Sequence, residues 1–167
     1  QGLRPPSFAS LFSGTDLGAQ DVLAICSLRL GVSVAYTYDL NSTHRLALIR
    51  NASSKWTGVD MLKSAEAVVA DEAFAPDYDW IYDLRLVHST AISVVELERI
   101  VKRFRTYRDR GVVDGDHASV FVGTDDDLQH AAALLQRRSD RPDDRFAVVE
   151  TLEEARRQLG IDASATE

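Results

Sequence analysis

The feature that most constrains the fold of this chain is a short apolar run followed by a helix that caps itself. Residues 80–84 are apolar enough to form a strand that is buried on both faces. Ser93-x-x-Glu96 then forms a capping box in front of apolar residues at helical spacing. This is the strand-to-helix unit of an α/β fold, in which ligands and partners usually bind at the carboxyl ends of the strands. The sequence therefore predicts where a site lies but not what binds there.

The same alternation begins near the start of the chain. Residues 33–40 and 45–50 are predicted strands joined by a turn at 41–43, which indicates an antiparallel hairpin. An N-cap at Thr57 predicts a helix that runs to about Ala73. We expect the apolar face of that helix to consist of Val59, Leu62, Ala65 and Val69.

The second half of the chain repeats the unit. Residues 118–122 form a predicted strand, and the carboxylates at 125–127 suit the positive end of the helix that follows. A polar loop at 137–145 then leads to a last predicted strand at 146–149.

A second capping box, Thr151-x-x-Glu154, precedes the last helix, so the order of elements is β-β-α-β-α-β-α-β-α. Strands that alternate with helices form parallel sheet. We therefore predict an α/β fold with a mixed, mostly parallel central sheet of about five strands, an N-terminal β-hairpin and about four helices. The expected core of the sheet contains Trp80, Ile81, Leu84, Val120, Val122, Ala147 and Val149.

A chain of 167 residues fits one α/β domain with short extensions. We expect an N-terminal arm at residues 1–31, partly a tag or irregular and with a short helix, a domain at 32–162 and a disordered-type tail at 163–167. The arm is rich in apolar side chains, so we predict that it packs on its own domain or across a homodimer.

Composition excludes several classes of function. The formal net charge of −7 argues against nucleic-acid binding, which depends on a cationic surface. Cys26 is the only cysteine, so an intramolecular disulfide and a zinc site built on several cysteines are both excluded. The lone thiol favours a cytoplasmic protein. No run in the sequence approaches the ~18 apolar residues that a membrane-spanning helix needs.

Three phrases carry a family resemblance: Phe-Ala-Pro-Asp-Tyr at 74–78, Tyr-Asp-Leu-Arg at 82–85 and Val-Glu-Thr-Leu-Glu-Glu-Ala at 149–155. With the order of elements, they resemble the SpoIIAA-like group of STAS-type domains, which are related to the anti-sigma-factor antagonists. The resemblance covers about residues 34–161. It implies a SpoIIAA-like fold, shared in type with Sec14-like lipid-binding domains, and the role of a bacterial signalling or protein-binding module.

Anti-sigma-factor antagonists carry a phosphorylated serine in an Asp-Ser-Ser/Thr-Gly phrase at the start of the corresponding helix. The nearest match is Ser93, preceded by Ser89 and Thr90, but the aspartate and glycine are missing. These three residues are candidate phospho-acceptors or partner-binding residues, because a phosphate at a helix N-terminus meets unpaired amides and a positive dipole end. The capping box favours the simpler role, in which the hydroxyl of Ser93 caps the helix.

Asp83, Arg85, Thr124 and Asp125 follow two predicted strands and form the expected strand-end surface for a partner or ligand. A two-component receiver is a poor match, because Asp39 has no acidic neighbour and one carboxylate makes a poor Mg²⁺ site. The four histidines share no metal-ligand spacing, and the sequence contains no P-loop, G-x-G-x-x-G or nucleophile elbow. We expect no enzymatic activity, no metal and no cofactor.

The helix after Ser93 is the most basic part of an acidic chain. A partner or an acidic-lipid surface would suit its charge, but a solvated helix face is the simpler interpretation. Its cations are Arg99, Lys102, Arg103, Arg105, Arg108 and Arg110. A place in the core is likewise simpler than a lipid pocket for Trp56, Trp80, Tyr82 and Phe104.

Two functions remain. The first is a non-enzymatic STAS-like interaction or signalling module that binds a protein partner, or itself as a homodimer, through the strand-end loops and the helix from Ser93. The alternative is Sec14-like binding of a lipid or another small apolar ligand. A Sec14-type cavity would measure several hundred cubic ångströms and be mostly apolar. An interaction module would be packed solid, which is our expectation.

Overall fold

The computed structural model describes residues 35–139 and 145–161. The expected arm at 1–31, the tail at 163–167 and part of the predicted loop at 137–145 lie outside the described residues. The strands are β1 (Tyr36–Asn41), β2 (Leu46–Asn51), β3 (Lys55–Thr57), β4 (Asp79–Asp83), β5 (Ser89–Ala91), β6 (Ser119–Val122) and β7 (Phe146–Val149). The helices are α1 (Gly58–Val69), α2 (Val94–Asp109), α3 (Asp126–Arg138) and α4 (Leu152–Gln158).

The main sheet has five strands in the order β1-β2-β4-β6-β7. Strands β1 and β2 pair antiparallel, and each later pair is parallel. Each new parallel strand is added on the same side of the previous one, so the connecting helices α1, α2 and α3 all pack on one face. The mostly parallel sheet, the hairpin and the four described helices confirm the predicted fold class.

The face of the sheet under α1, α2 and α3 carries a layer of aromatic side chains. Trp80 and Tyr82 lie on this face, and Ile81 between them points to the other. The ring of Tyr82 stacks on that of Phe121 with 5.1 Å between centroids, and the ring of Trp56 lies 6.0 Å from both. The predicted core placement of the aromatic residues is confirmed for Trp56, Trp80 and Tyr82, which are buried, while Phe104 is half-buried.

The opposite face of the sheet is aliphatic and packs against α4. Ile81, Val120 and Val122 form one buried cluster with Ala155 of that helix. Strand β4 is therefore buried on both faces, as its apolar run predicts. The expected burial is confirmed for Trp80, Ile81, Leu84, Val120 and Val122.

The expectation of a largely buried strand was wrong for β7. Ala147 and Val149 are only half-buried. Among the described strands β7 is the last in the sheet and pairs with β6 alone. An edge strand has a neighbour on one side only, so its side chains keep part of their accessible surface.

A second, two-stranded sheet was missing from the predicted order of elements. Strands β3 and β5 pair in parallel, with Lys55 opposite Ser89 and Thr57 opposite Ala91. Each strand has three residues, which is too short for the alternation that marks a strand in a sequence. This small sheet brings two distant segments together just before α1 and α2 begin.

Helix boundaries also differ in part from those predicted. The capping box at Thr57 is present, but α1 ends at Val69 rather than near Ala73. Val59 is exposed, so its placement on the buried face was wrong, and α3 continues through Arg138 into the predicted loop. The buried side chains of α1 include Met61, Ser64, Ala65 and Val68.

Candidate functional site

The carboxyl ends of the parallel strands bring the predicted strand-end residues to one edge of the sheet. Asp83 ends β4 and Arg85 follows it, while Thr124 and Asp125 follow β6, the neighbouring strand. Thr90 of β5 joins this edge, because its backbone N–H donates to the carboxylate of Asp125 at 2.9 Å. The structure therefore places these candidates in one region, where each can be examined for the role it plays.

Asp83 and Arg85 form a two-pronged ion pair at the end of β4. Nε and Nη2 of Arg85 donate to Oδ1 and Oδ2 of Asp83 at 2.8 and 2.9 Å. The Asp83 side chain is 8% exposed and that of Arg85 50%. Burial by itself would raise the pKa of Asp83, but the hydrogen bonds from Arg85 outweigh it and hold that pKa below its ordinary value. The pair therefore fixes the turn that follows β4.

Sequence reasoning missed a second pair that continues this row of charges. Arg50 lies opposite Asp83 in the parallel register of β2 and β4, and its Nη1 pairs with the carboxylate of Asp39. The charge of Arg50 also helps to lower the pKa of Asp83. The available signal was a lone cation after the apolar residues 46–49. Opposite charges alternate along this row, so it largely neutralises itself.

Asp125 ties β5 to the start of α3. Its Oδ2 accepts the Thr90 N–H, and its Oδ1 accepts the backbone N–H of Asp127 at 3.3 Å as the helix cap. Thr90 is buried, and its Oγ1 has no hydrogen-bond partner among the described residues. Ser89 and Thr124 are exposed. The predicted roles of these residues toward a partner or phosphate stay predictions, whereas the cap by Asp125 is a structural contact.

Ser93 caps α2 in the geometry that the sequence indicates. Its Oγ accepts the Glu96 N–H at 3.3 Å and donates to Oε2 of Glu96 at 2.6 Å. The Ser93 N–H donates to the same carboxylate oxygen at 2.8 Å. These hydrogen bonds, from the hydroxyl first, lower the pKa of Glu96 below its ordinary value. The capping box is therefore present, and phosphorylation of Ser93 stays a prediction.

Glu96 also joins the start of α2 to the start of α1. Its carboxylate accepts the backbone N–H of Val59. The two helices approach so closely that a Cβ built on Gly58 would lie 2.6 Å from Cβ of Glu96. Only glycine fits that approach without a shift, so the two helix starts are held side by side.

Three exposed valines lie close in the chain to the two residues of this contact, and we call them the valine cluster. Val59, Val94 and Val95 are 45%, 53% and 57% exposed. Val94 and Val95 occupy the first two helical positions of α2, where acidic residues suit the dipole and a β-branched side chain adds no helix stability. Helix stability and core packing therefore leave the two valines of α2 unexplained. The sequence signal was a pair of valines directly after a capping serine.

An open groove lies beside this cluster, between the start of α2 and α3, and we call it the α2–α3 groove. Its volume is about 370 Å³. The polar side chains that line it are Thr90, Ser93, Glu96, Asp127 and His130, and the apolar ones include Ile92, Ala131 and Leu134. Two predicted site residues, Thr90 and Ser93, therefore line one groove with two carboxylates that the site prediction did not include.

The interior between α1, α2 and α3 leaves little room for an apolar ligand. A pocket lined by Met61, Ile100, Phe104 and Leu135 has a volume of about 30 Å³. That is room for about one or two water molecules rather than a lipid chain. The described residues therefore give no support to the Sec14-like alternative.

Two cations of α2 connect it to its neighbours. Arg103 pairs with Glu66 of α1 at 3.0 Å, and Arg108 donates to the Ser139 carbonyl at 3.2 Å. Arg138 of α3 pairs with Glu98 of α2 at 3.4 Å. An open groove of about 600 Å³ beside them is lined by charges of both signs, among them Lys102, Arg105, Asp109 and Arg138. These contacts favour the structural interpretation of the basic helix.

Among residues 35–139 and 145–161, no group of three or more His, Cys, Asp or Glu side chains is arranged to hold a metal ion. His117 is buried, with Nδ1 2.5 Å from the Asp114 carbonyl oxygen. Over the same described ranges, no helix is both long enough and apolar enough to cross a membrane.

Comparison with solved structures finds a likeness to an uncharacterized protein of the DUF3478 family from Shewanella loihica PV-4, which has a SpoIIAA-like fold. The two chains are 12% identical, the TM-score is 0.47, and the match covers 75% of this chain and 92% of the other. No protein-family model and no curated protein sequence matches the chain.

Proposed function

We propose that this chain is a non-enzymatic, STAS-like interaction module that binds a protein partner through the valine cluster and the start of α2. The observation that carries the proposal is the exposure of Val94 and Val95, at 53% and 57%, on the first turn of a helix whose other apolar residues are buried or half-buried. Two half-exposed valines at consecutive positions leave apolar surface that a partner can cover.

The surface is preorganised, which favours binding because little order has to be created when a partner arrives. The contact of Gly58 with Glu96 holds α1 beside α2, and the caps at Thr57 and Ser93 fix where each helix begins. The pairing of β3 with β5 fixes the two segments that lead into these helices. The valine cluster is therefore presented on a rigid support.

The absence of enzymatic activity belongs to the same proposal. The groups that would perform chemistry at this edge are held by structural contacts. The Ser93 hydroxyl and the Glu96 carboxylate bond to each other, Asp83 pairs with Arg85, and Asp125 caps α3. A nucleophile or base must be available to a substrate, and these groups are committed to holding the backbone.

The proposal is tested by capture from the native cell. The tagged chain and its Val94→Ser/Val95→Ser variant are purified side by side, and co-purified proteins are quantified by mass spectrometry. We expect at least one protein to be retained by the parent chain and lost from the double variant. Glu153→Ser is the control, because it places a serine at the second helical position of another helix, α4, outside the cluster. Equal retention by parent and double variant would contradict the proposal.

Native mass spectrometry of the same samples tests the homodimer expected from the sequence. A dimer in the parent chain that the double variant loses would identify the partner as a second copy. A monomer in both samples would leave a different protein as the partner.

A further inference from the structure

We propose that the partner presents a cationic amphipathic segment, whose apolar side chains lie on the valine cluster and whose basic side chains reach into the α2–α3 groove. This inference rests on the proposed function and deepens it by giving the chemistry of the partner.

The valine cluster offers apolar surface to a partner. Its three side chains are about half exposed, so a partner can still remove much of their apolar surface from water. The cores of protein interfaces are apolar and poor in charged residues, with polar groups around them. The valine cluster has that composition at its centre, so the partner must supply apolar side chains opposite it.

The groove beside the cluster offers charged groups to a partner. Two carboxylates, Glu96 and Asp127, line it, together with the imidazole of His130. Asp126 precedes Asp127 in the first turn of α3 and is exposed. Arg99 is the cation close enough to Glu96 to affect its charge. The residues that line the groove include two carboxylates and no lysine or arginine, so a basic segment is complementary to it and an acidic one is repelled.

The hydrogen bonds of β5 decide how such a segment is recognised. On one side β5 pairs with β3, and the Thr90 N–H on the other side already donates to Asp125. A partner strand would find that donor occupied, so adding a strand to this edge is disfavoured. Recognition therefore runs through side chains, which fits an amphipathic helix with apolar and basic residues at helical spacing.

A pair of model peptides tests the charge class directly. One is a helical peptide of about 14 residues made of leucine and lysine, and the other replaces each lysine by glutamate. Binding of each labelled peptide to the full chain is measured by fluorescence anisotropy at two ionic strengths. We expect the lysine peptide to bind, with weaker binding at higher ionic strength. We expect the glutamate peptide to bind at least about tenfold more weakly.

Substitutions then place the peptide on the surface. Asp127→Lys reverses a charge that lines the groove, and Glu153→Lys is a matched control, because each residue is the second helical residue of an acidic first turn. We expect Asp127→Lys and Val94→Ser/Val95→Ser each to weaken binding of the lysine peptide by about tenfold. Glu153→Lys should change it by less than about twofold. Thermal melting of each variant confirms that it is folded, and Asp127→Asn replaces Asp127→Lys if the latter is not.

The outcomes separate this inference from the proposed function. Equal binding of the two peptides, no binding of either, or unchanged binding in the groove variants would overturn the cationic partner. The proposed interaction module would still be supported if the valine variant no longer captured the cellular protein that the parent chain retains. If the chain forms a dimer that the valine substitutions dissociate, the partner is a second copy of the chain. That result would also overturn the cationic partner. Loss of both capture and peptide binding specifically in the groove and valine variants would support both proposals.

Discussion

Two strand-to-helix units in this chain carry the same sequence signature and differ in what surrounds them. In the first, β4 leads to α2 through the capping box of Ser93 and Glu96. In the second, β7 leads to α4 through that of Thr151 and Glu154. In both boxes the hydroxyl accepts the N–H of the glutamate three residues on. A local motif therefore determines where a helix begins, but it does not determine what the helix start is used for.

The two strands differ because they hold different places in the sheet. Strand β4 lies between β2 and β6 and is buried on both faces, whereas β7 is the described edge strand and is half-buried. The apolar runs of β4 and β7 therefore contribute unequally to the stability of the fold. Position in the sheet, which depends on long-range pairing, sets that contribution.

The two helix starts differ in their neighbours. Glu96 touches Gly58 and the Val59 N–H of another helix. In α4, the first turn instead carries Glu153, which pairs with Arg157 one turn later at 3.3 Å. The first turn of α4 carries an exposed acidic residue, as is usual at a helix start. The first two helical positions of α2 carry exposed valines instead. The departure from the usual pattern marks the start of α2 as the surface of interest.

The largest expected effect compares the two strands. Ile81→Ala in β4 should lower the free energy of unfolding by ~2–5 kcal/mol, because it leaves a cavity in a fully buried site. Val149→Ala in β7 should cost about 1 kcal/mol, since less buried surface is lost. Urea unfolding of both variants measures the difference. Similar costs in the two strands would contradict the assigned strand order.

The next effect concerns the contact that α2 makes and α4 lacks. Gly58→Ala places a Cβ 2.6 Å from Cβ of Glu96, so the helices must shift, at a cost of ~1–3 kcal/mol. Gly115→Ala is the control, because no atom lies within 4 Å of a Cβ built there. That control should be neutral or slightly stabilising. Equal unfolding free energies for the two variants would show that the starts of α1 and α2 are not in close contact.

The sequence predicted most of the fold because its signals are local. Capping boxes at Ser93 and Thr151, glycines after helices and apolar runs at 80–84 and 146–149 each depend on a few neighbouring residues. The pairing of β3 with β5 could not be predicted in this way, because each strand has three residues and its partner is distant in the chain. The half-burial of β7 likewise depends on the order of strands.

The candidate site was predicted in part. The ion pair of Asp83 with Arg85 and the cap at Ser93 involve residues close in sequence, so the motifs pointed to them. The valine cluster was not predicted, because Val59 fits a helical apolar stripe and was assigned to the core. The exposure of Val59 follows from how α1 rotates against the sheet, which brings Met61 and Val68 inward together with the predicted Ala65.

A smaller effect compares the carboxylates that end the two strands. Asp83→Asn should cost roughly 1–2 kcal/mol near neutral pH, because it weakens a charge-assisted pair. The pKa of Asp83 is lowered in the folded chain, so the pair contributes fully above the unfolded pKa of about 3.9. That contribution is lost as the pH falls through the folded pKa.

The stability gap between the parent chain and Asp83→Asn should therefore narrow as the pH is lowered from about 6 to about 3. Urea unfolding at a series of pH values measures the gap. Glu150→Gln removes the exposed carboxyl that follows β7 and serves as the control, with a change within about 0.5 kcal/mol. A gap that widens toward acid would mean that the pair does not favour the ionised form of Asp83.

The smallest effects separate the two capping boxes. Ser93→Ala and Thr151→Ala should each cost ~0.5–2 kcal/mol, because each removes the oxygen that accepts the N–H of the following glutamate. Ser93→Asp should stay within about 0.5 kcal/mol of the parent chain, since aspartate also caps helices and suits the positive end of the dipole. The negative charge of an aspartate at position 93 would lie close to Glu96 in the groove, and the repulsion between them accounts for the small expected loss of stability. If Ser93 were instead a phosphorylation switch, Ser93→Asp would change partner capture while leaving stability unaltered, and protein from the native cell would carry stoichiometric phosphate on Ser93. Intact-mass and peptide mass spectrometry of that protein decide between the two roles. We expect Ser93 to be unmodified. We expect the same of Thr151, whose capping box has no neighbouring helix start.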